Sequence, residues 1–198
     1  MTHTLATRSH ANVSPTDISD DDVYDELVAV AGKRRAEWVD GGVFVMAPTG
    51  ELPGRAAENV LMALRAYERH AGGRATGDNV SFVVNLPGRR SFSPDVSYRR
   101  VVAPPTMRFV QGAPDFAAEV RSAFDYGAHA EAKLAAKRAD YFAAGTRVVW
   151  DVDLLGDDTI RAYRPDAPDT PAVFRRGEVA DAEPAVPGWR FPVDELFR

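Results

Sequence analysis

Polar and apolar residues alternate with a helical period in "SDDDVYDELVAVAG". Ser19 is a suitable N-cap, and three aspartates fill the first turn, where the helix dipole favours anions. Gly32 stops the pattern, so the stretch predicts a helix. In "RAEWVDGGVFVMAP" the period falls to two on either side of Asp40-Gly41-Gly42, predicting two strands joined by a tight turn. Helical spacing returns over 54–71, with Val60, Leu61, Leu64 and Tyr67 on one face and Gly72-Gly73 at the end. "NVSFVVNL", the turn "PGRRS" and "FSPDVSYRR" read as strands, and a looser segment with Pro104-Pro105 follows. Residues 114–121, "PDFAAEVR", predict a strand, and 128–144 predict an Ala-rich helix ended by Gly145. "TRVVWDVD" has the composition of a central strand, and "TIRAYRP" predicts another. The tail "VPGWRFPVDELF" has aromatic residues suited to packing back on the core, and Trp38, Trp150 and Trp189 suit a core or a dimer contact.

This order predicts an α/β (α+β) fold with a mixed sheet. The helix over 128–144 has the length needed for a parallel crossover into "VVWDVD". Two of the strands carry an acid inside an apolar run: Asp95 in "SPDVSY" and Glu119 in "FAAEVRS". An unpaired buried carboxylate costs several kcal/mol, so both acids need an explanation. If the strands are neighbours, the two carboxylates converge at one end of the sheet and suit a hard divalent ion. The alternative leaves Asp95 capping a turn and Glu119 paired with Arg121 or another base.

On a wheel of about 100° per residue, Lys137 falls on the flank of the apolar face of its helix, while Lys133 points further toward solvent. From that flank a lysine either snorkels or carries its ammonium to the sheet edge.

Composition narrows the classes. The chain has 198 residues, enough for one domain over 19–198 behind a polar lead-in, residues 1–18, expected to be disordered. There is no cysteine, hence no disulfide and no thiolate metal site. No apolar run approaches the roughly 18 residues of a membrane span, and no secretory signal is evident. A cytoplasmic location is the expectation. A net charge of −5 argues against a protein that coats nucleic acid broadly but leaves room for a local basic groove. His3, His10, His70 and His129 show no zinc-ligand spacing. "PGRR" is a basic turn that suits either a contact with a phosphate backbone or, as the more ordinary case, a solvated hairpin tip, and the 153–158 stretch reads as a loop.

"AEWVDGGVFVMAPTG", "SPDVSY", "DFAAEVRSAFD", "KRADYFAAGTRVVWDVD" and "VPGWRFPVDELF", in this order, resemble the Uma2 family, also called DUF820, from about residue 20 to the C-terminus. The resemblance implies a PD-(D/E)XK, restriction-endonuclease-like fold: a mixed β-sheet flanked by helices, with Mg²⁺ or Mn²⁺ at its edge. Carried over by position, the metal ligands are Asp95, Glu119 and the backbone carbonyl of Val120. The usual strand lysine falls at Arg121, whose guanidinium cannot act as a base but suits a phosphate or a salt bridge. The family's lysine then comes from a K-x-x-x-Y pattern on the next helix, here Lys137 and Tyr141. Glu37 matches a further acid, which suits either a place near the metal or a cross-strand surface position. The chain departs from the family at "SAFD", where Asp125 closes the stretch, and at Pro53, where a histidine is common. The resemblance implies a metal-dependent endonuclease acting on DNA, with a homodimer suited to cutting both strands. The alternative is a catalytically silent nuclease fold that binds nucleic acid or a protein partner.

Overall fold

The computed structural model describes residues 19–32 and 34–198. The lead-in expected over 1–18 lies outside the described residues.

Helix α1 (Asp20–Ala31) starts at Ser19, whose hydroxyl accepts from the Asp22 backbone N–H in a reciprocal capping box. The hairpin β1 (Ala36–Val39) and β2 (Gly42–Val45) follows, then α2 (Glu51–Ala71) and β3 (Arg74–Gly77). Short strands β4 (Phe82–Val83) and β5 (Ser91–Phe92) precede β6 (Val96–Arg99), and β7 (Val110–Gln111) pairs back on β4. Next come β8 (Phe116–Val120), α3 (Ala128–Ala143), β9 (Val148–Asp153), β10 (Thr159–Arg164) and β11 (Ala167–Phe174). Strands β12 (Val179–Asp181) and β13 (Arg190–Pro192) and a closing 3₁₀ turn complete the chain.

The main sheet has the order β11-β10-β9-β8-β6-β3. Only β8 and β9 run parallel, joined through α3 as the sequence predicts; the other pairings are antiparallel. Strands β6 and β8 are neighbours, with Val96 opposite Ala118, which brings the two acid-bearing strands side by side.

Side chains of a strand alternate between faces, and here the faces differ in chemistry. Phe116, Ala118 and Val120 of β8 and Val148, Trp150 and Val152 of β9 join α2 residues Ala56, Val60 and Leu64 in the largest core cluster. The tail adds Trp189, Phe191 and Leu196, and Trp189 stacks on Trp150 at 5.1 Å. The opposite face carries Ala117 and Glu119 of β8, Arg121 just beyond its end, and Val149, Asp151 and Asp153 of β9. Its apolar part is covered by Phe82, Phe92 and Tyr141, the last two stacked at 4.0 Å. Trp38 packs under α1, so all three tryptophans are buried in the core.

The structure departs from the sequence reading at several places. Helix α2 begins at Glu51, ahead of Pro53, because a proline in the first turn sacrifices no intrahelical hydrogen bond. Strand β11 contains Pro168 and Pro171 and was not expected; it is an edge strand, and its register with β10 breaks opposite the prolines. The arginines of the "PGRR" turn are not solvated. Arg89 and Arg90 are 6% and 2% exposed, because the turn folds back on β1 and Arg89 meets two acids there.

Trp150 joins β9, the tail and, through its indole N–H, the Asp181 carbonyl at 3.1 Å. Trp150→Ala is expected to cost about 3–5 kcal/mol, read as a lower urea midpoint with the slope preserved.

Candidate active site

Three strands and one helix deliver the charged groups. Asp95 stands just before β6. Its Oδ2 accepts the Val120 N–H at 2.7 Å, so the β8 backbone itself fixes this carboxylate. Its Oδ1 accepts Arg35 Nη1 at 2.5 Å. Arg35 also donates to the Ser93 carbonyl, and its Nε forms an ion pair with Asp78 at 2.7 Å without hydrogen-bond alignment.

Glu119 projects from the polar face of β8. Its Oε1 accepts the Tyr141 hydroxyl at 2.6 Å and lies 2.9 Å from Lys137 Nζ. Its Oε2 accepts nothing from the described residues. Lys137 lies the same 2.9 Å from Glu37 Oε1, so one ammonium bridges acids from β1 and β8. The flank position on α3 thus places the amine over the sheet, whereas Lys133 is exposed. Tyr141 lies one turn on, where i and i+4 share a face.

Glu37 is 7% exposed, not a surface residue. Its Oε1 also accepts the Ser93 N–H at 2.9 Å, and its Oε2 accepts Arg89 Nη1 at 2.6 Å. Arg89 in turn reaches Asp140 of α3 at 2.7 Å. Every oxygen of Glu37 is thereby committed to a cation or an amide, which leaves it as the anchor of Lys137 and Arg89.

Arg121 does not face this group. It binds Asp151 with two hydrogen bonds of 2.6 and 2.7 Å, and its other edge binds Glu131 of α3. With both edges occupied, it forms the salt-bridge alternative raised by the sequence. Asp125 accepts from the Ser122 N–H and hydroxyl and closes a turn.

The electrostatics separate the two buried glutamates. Burial opposes ionisation of Glu37, but Lys137 and Arg89 outweigh it and hold its pKa at about 2. Burial raises the pKa of Glu119; Lys137 opposes the rise, while Asp95 and Glu37 add to it. Burial also works against the Lys137 ammonium, yet Glu119 and Glu37 together raise its pKa above the ordinary value. The site therefore holds a firmly charged lysine beside a glutamate whose charge is under-compensated.

Among the described residues, no group of three or more His, Cys, Asp or Glu side chains gathers closely enough to hold a metal ion. No helix among them is long and apolar enough to cross a membrane.

A scan against protein families matches residues 22–194 to Uma2, described as "Putative restriction endonuclease". The chain belongs to the Uma2 family. A search of curated proteins returns no match. Among solved structures, the chain is similar to one titled as a "putative nuclease belonging to DUF820" from Anabaena variabilis ATCC 29413. That similarity covers 91% of this chain and 97% of the other, with a TM-score of 0.70 and 17% identity. It shows a shared fold, the restriction-endonuclease-like mixed sheet that the sequence implies for a Uma2 protein.

Sequence reasoning missed two of the cations that hold this Uma2 site together. Arg35 and Arg89 come from segments that carry no recognisable motif, and their partners lie 60 and 52 positions away. The one legible signal was the buried setting of Glu37 in "AEWV", which requires a cation from elsewhere.

The acid limb of the stability curve tests the Glu37 environment. A depressed pKa contributes stability that is fully present above the unfolded value of 4.5 and is lost as pH falls through about 2. The whole effect is about 3 kcal/mol at most. Urea midpoints measured from pH 6 down to 2 should fall steeply for the wild type, and Glu37→Gln should flatten that fall. An unchanged slope in the variant would remove Glu37 as its source.

Proposed function

We propose that this protein is a divalent-metal-dependent endonuclease that hydrolyses phosphodiester bonds in DNA, with Asp95, Glu119 and Lys137 as its working residues. The observation that carries the reading is Lys137 Nζ at 2.9 Å from Glu119, on the strand next to the one Asp95 precedes, in a member of the Uma2 family.

The donor set suits Mg²⁺ or Mn²⁺. Asp95 and Glu119 offer hard oxygens, the Val120 carbonyl is a third, and Mg²⁺ typically keeps several waters beside one or two carboxylates. The uncommitted Oε2 and raised pKa of Glu119 indicate a place where a further cation would be welcome. When bound, the ion would supply Lewis-acid stabilisation of a phosphoryl oxygen and acidify water.

The chain's own groups have separate tasks. The Val120 N–H and Arg35 fix the Asp95 carboxylate, and Tyr141 fixes that of Glu119. Lys137 is held protonated, so it cannot serve as a base at neutral pH. Its charge instead stabilises the negative charge that develops on the phosphate in the transition state, or orients the attacking water. Glu37 keeps that ammonium in place without competing for metal, because its oxygens are already filled.

A catalytically silent nuclease fold is the second reading, and one contact favours it: Arg35 already occupies Asp95 Oδ1. The deciding experiment incubates the purified protein with DNA in Mg²⁺, Mn²⁺ or chelator. Metal-dependent cleavage is expected, and Lys137→Gln should lower its rate roughly 10²-fold or more. Mn²⁺ binding should survive in that variant, because both carboxylates remain, and should be lost in Asp95→Asn. Lys133→Met should behave as wild type. Because Lys137 neutralises two buried acids, its removal should also cost about 3–5 kcal/mol, so rates are compared well below the variant's Tm. No cleavage in either metal, with DNA still bound, would establish the silent reading instead.

A further inference from the structure

The polar face of the β3–β6 pair forms a short ladder. Arg74 stands directly opposite Arg99, and Thr76 directly opposite Ser97. The Thr76 and Ser97 hydroxyls share a hydrogen bond of 2.6 Å. Just beyond the ends of these strands, Asp78 and Asp95 are bridged by Arg35. One end of the ladder is thus the candidate active site, and the other is a pair of arginines.

That pair has no structural explanation. Like charges directly opposite each other in an antiparallel pair destabilise it. Among the described residues, neither Arg74 nor Arg99 has an acid at ion-pair distance. Arg99 lies 6.0 Å above the Phe82 ring, and its Nε is buried without an acceptor. Burial and then the field of Arg74 lower its pKa. Asp115 is the acid whose field reaches Arg99, but its Oδ2 already accepts the Arg100 N–H at 2.8 Å. Two partly buried arginines stand opposite each other here, with no acid at ion-pair distance among the described residues.

We propose that Arg74 and Arg99 form a phosphate-binding site that holds the backbone of the nucleic acid on which the Asp95–Glu119 site acts. This rests on the nuclease reading above. Arg99 lies four positions beyond Asp95 along the extended chain, about 13 Å, or roughly four base pairs along a duplex axis. One bound duplex can therefore touch both ends. Ser97 is buried, so the contact is made at the two ends and not along the middle. Guanidinium forks suit phosphate oxygens, and an arriving phosphate relieves the repulsion between the two arginines.

The test measures binding apart from cleavage. Fluorescence anisotropy would follow a labelled DNA duplex of about 20 base pairs, without divalent metal, over a range of salt concentrations. Arg74→Gln/Arg99→Gln should bind about tenfold more weakly or worse, and the slope of log K against log salt should fall by about one to two. The same variant should unfold at an equal or higher temperature than wild type, because the repulsion is gone. The double Lys variant should keep most of the affinity, since charge is retained. If the Gln pair binds as wild type does while the wild type still cleaves DNA, the arginine site is wrong and the nuclease reading stands. If the Lys pair is as weak as the Gln pair, phosphate charge is not the basis and the proposal fails. If the wild type neither binds nor cleaves DNA, both readings fall together.

Discussion

A single ammonium holds the architecture of this site together. Lys137 of α3 meets Glu37 of β1 and Glu119 of β8, each at 2.9 Å. The hairpin, the sheet and the crossover helix are separate elements, and this cation is common to all three. Helix α3 needs it, because Tyr141 is its only fully buried side chain among the described residues. A helix with so little apolar anchorage docks by charge: Lys137 on Glu37 and Glu119, Asp140 on Arg89, and Glu131 on Arg121. Buried ion pairs contribute little net stability, but they tolerate few alternative geometries. The helix is therefore held in one register over the sheet by the same contacts that furnish the candidate chemistry.

The sheet makes that arrangement possible by dividing its labour between faces. Strands β8 and β9 bury apolar residues against α2 and the tail, and that face supplies the core. The other face is free to carry Glu119, Arg121, Asp151 and Asp153. The polar groups there are partnered in separate sets, with Asp153 held by Arg161 and Tyr126. Arg121 and Asp151 form another with Glu131, while Glu119 belongs to a third with Lys137 and Tyr141. This division explains how two adjacent, largely buried strands accept so much charge.

Much of this was legible in the sequence because it depended on local pattern. Periodicity placed the helices and central strands, and the length of the 128–144 helix implied the parallel crossover. The wheel put Lys137 on the flank of its helix, from which it reaches the sheet. What stayed hidden depended on long-range pairing. "PGRR" looks like solvent-exposed chemistry, and only the docking of its turn on β1 buries Arg89 against Glu37. Arg35 cannot be read as a partner of Asp95 until the chain ahead of the hairpin is placed beside the segment that leads into β6. Strand β11 was missed because its two prolines argue against a strand everywhere except at an edge.

Those prolines also restrict how copies of the chain can associate. An exposed edge strand ordinarily offers a row of N–H and C=O groups on which another chain can extend the sheet. In β11, Pro168 and Pro171 carry no N–H, and the register with β10 is broken where they stand. A neighbouring molecule would find this border interrupted at mid-length. Contact along it would have to be made by side chains, which can be specific, and not by a continuous backbone ladder, which is indifferent to sequence and open to aggregation.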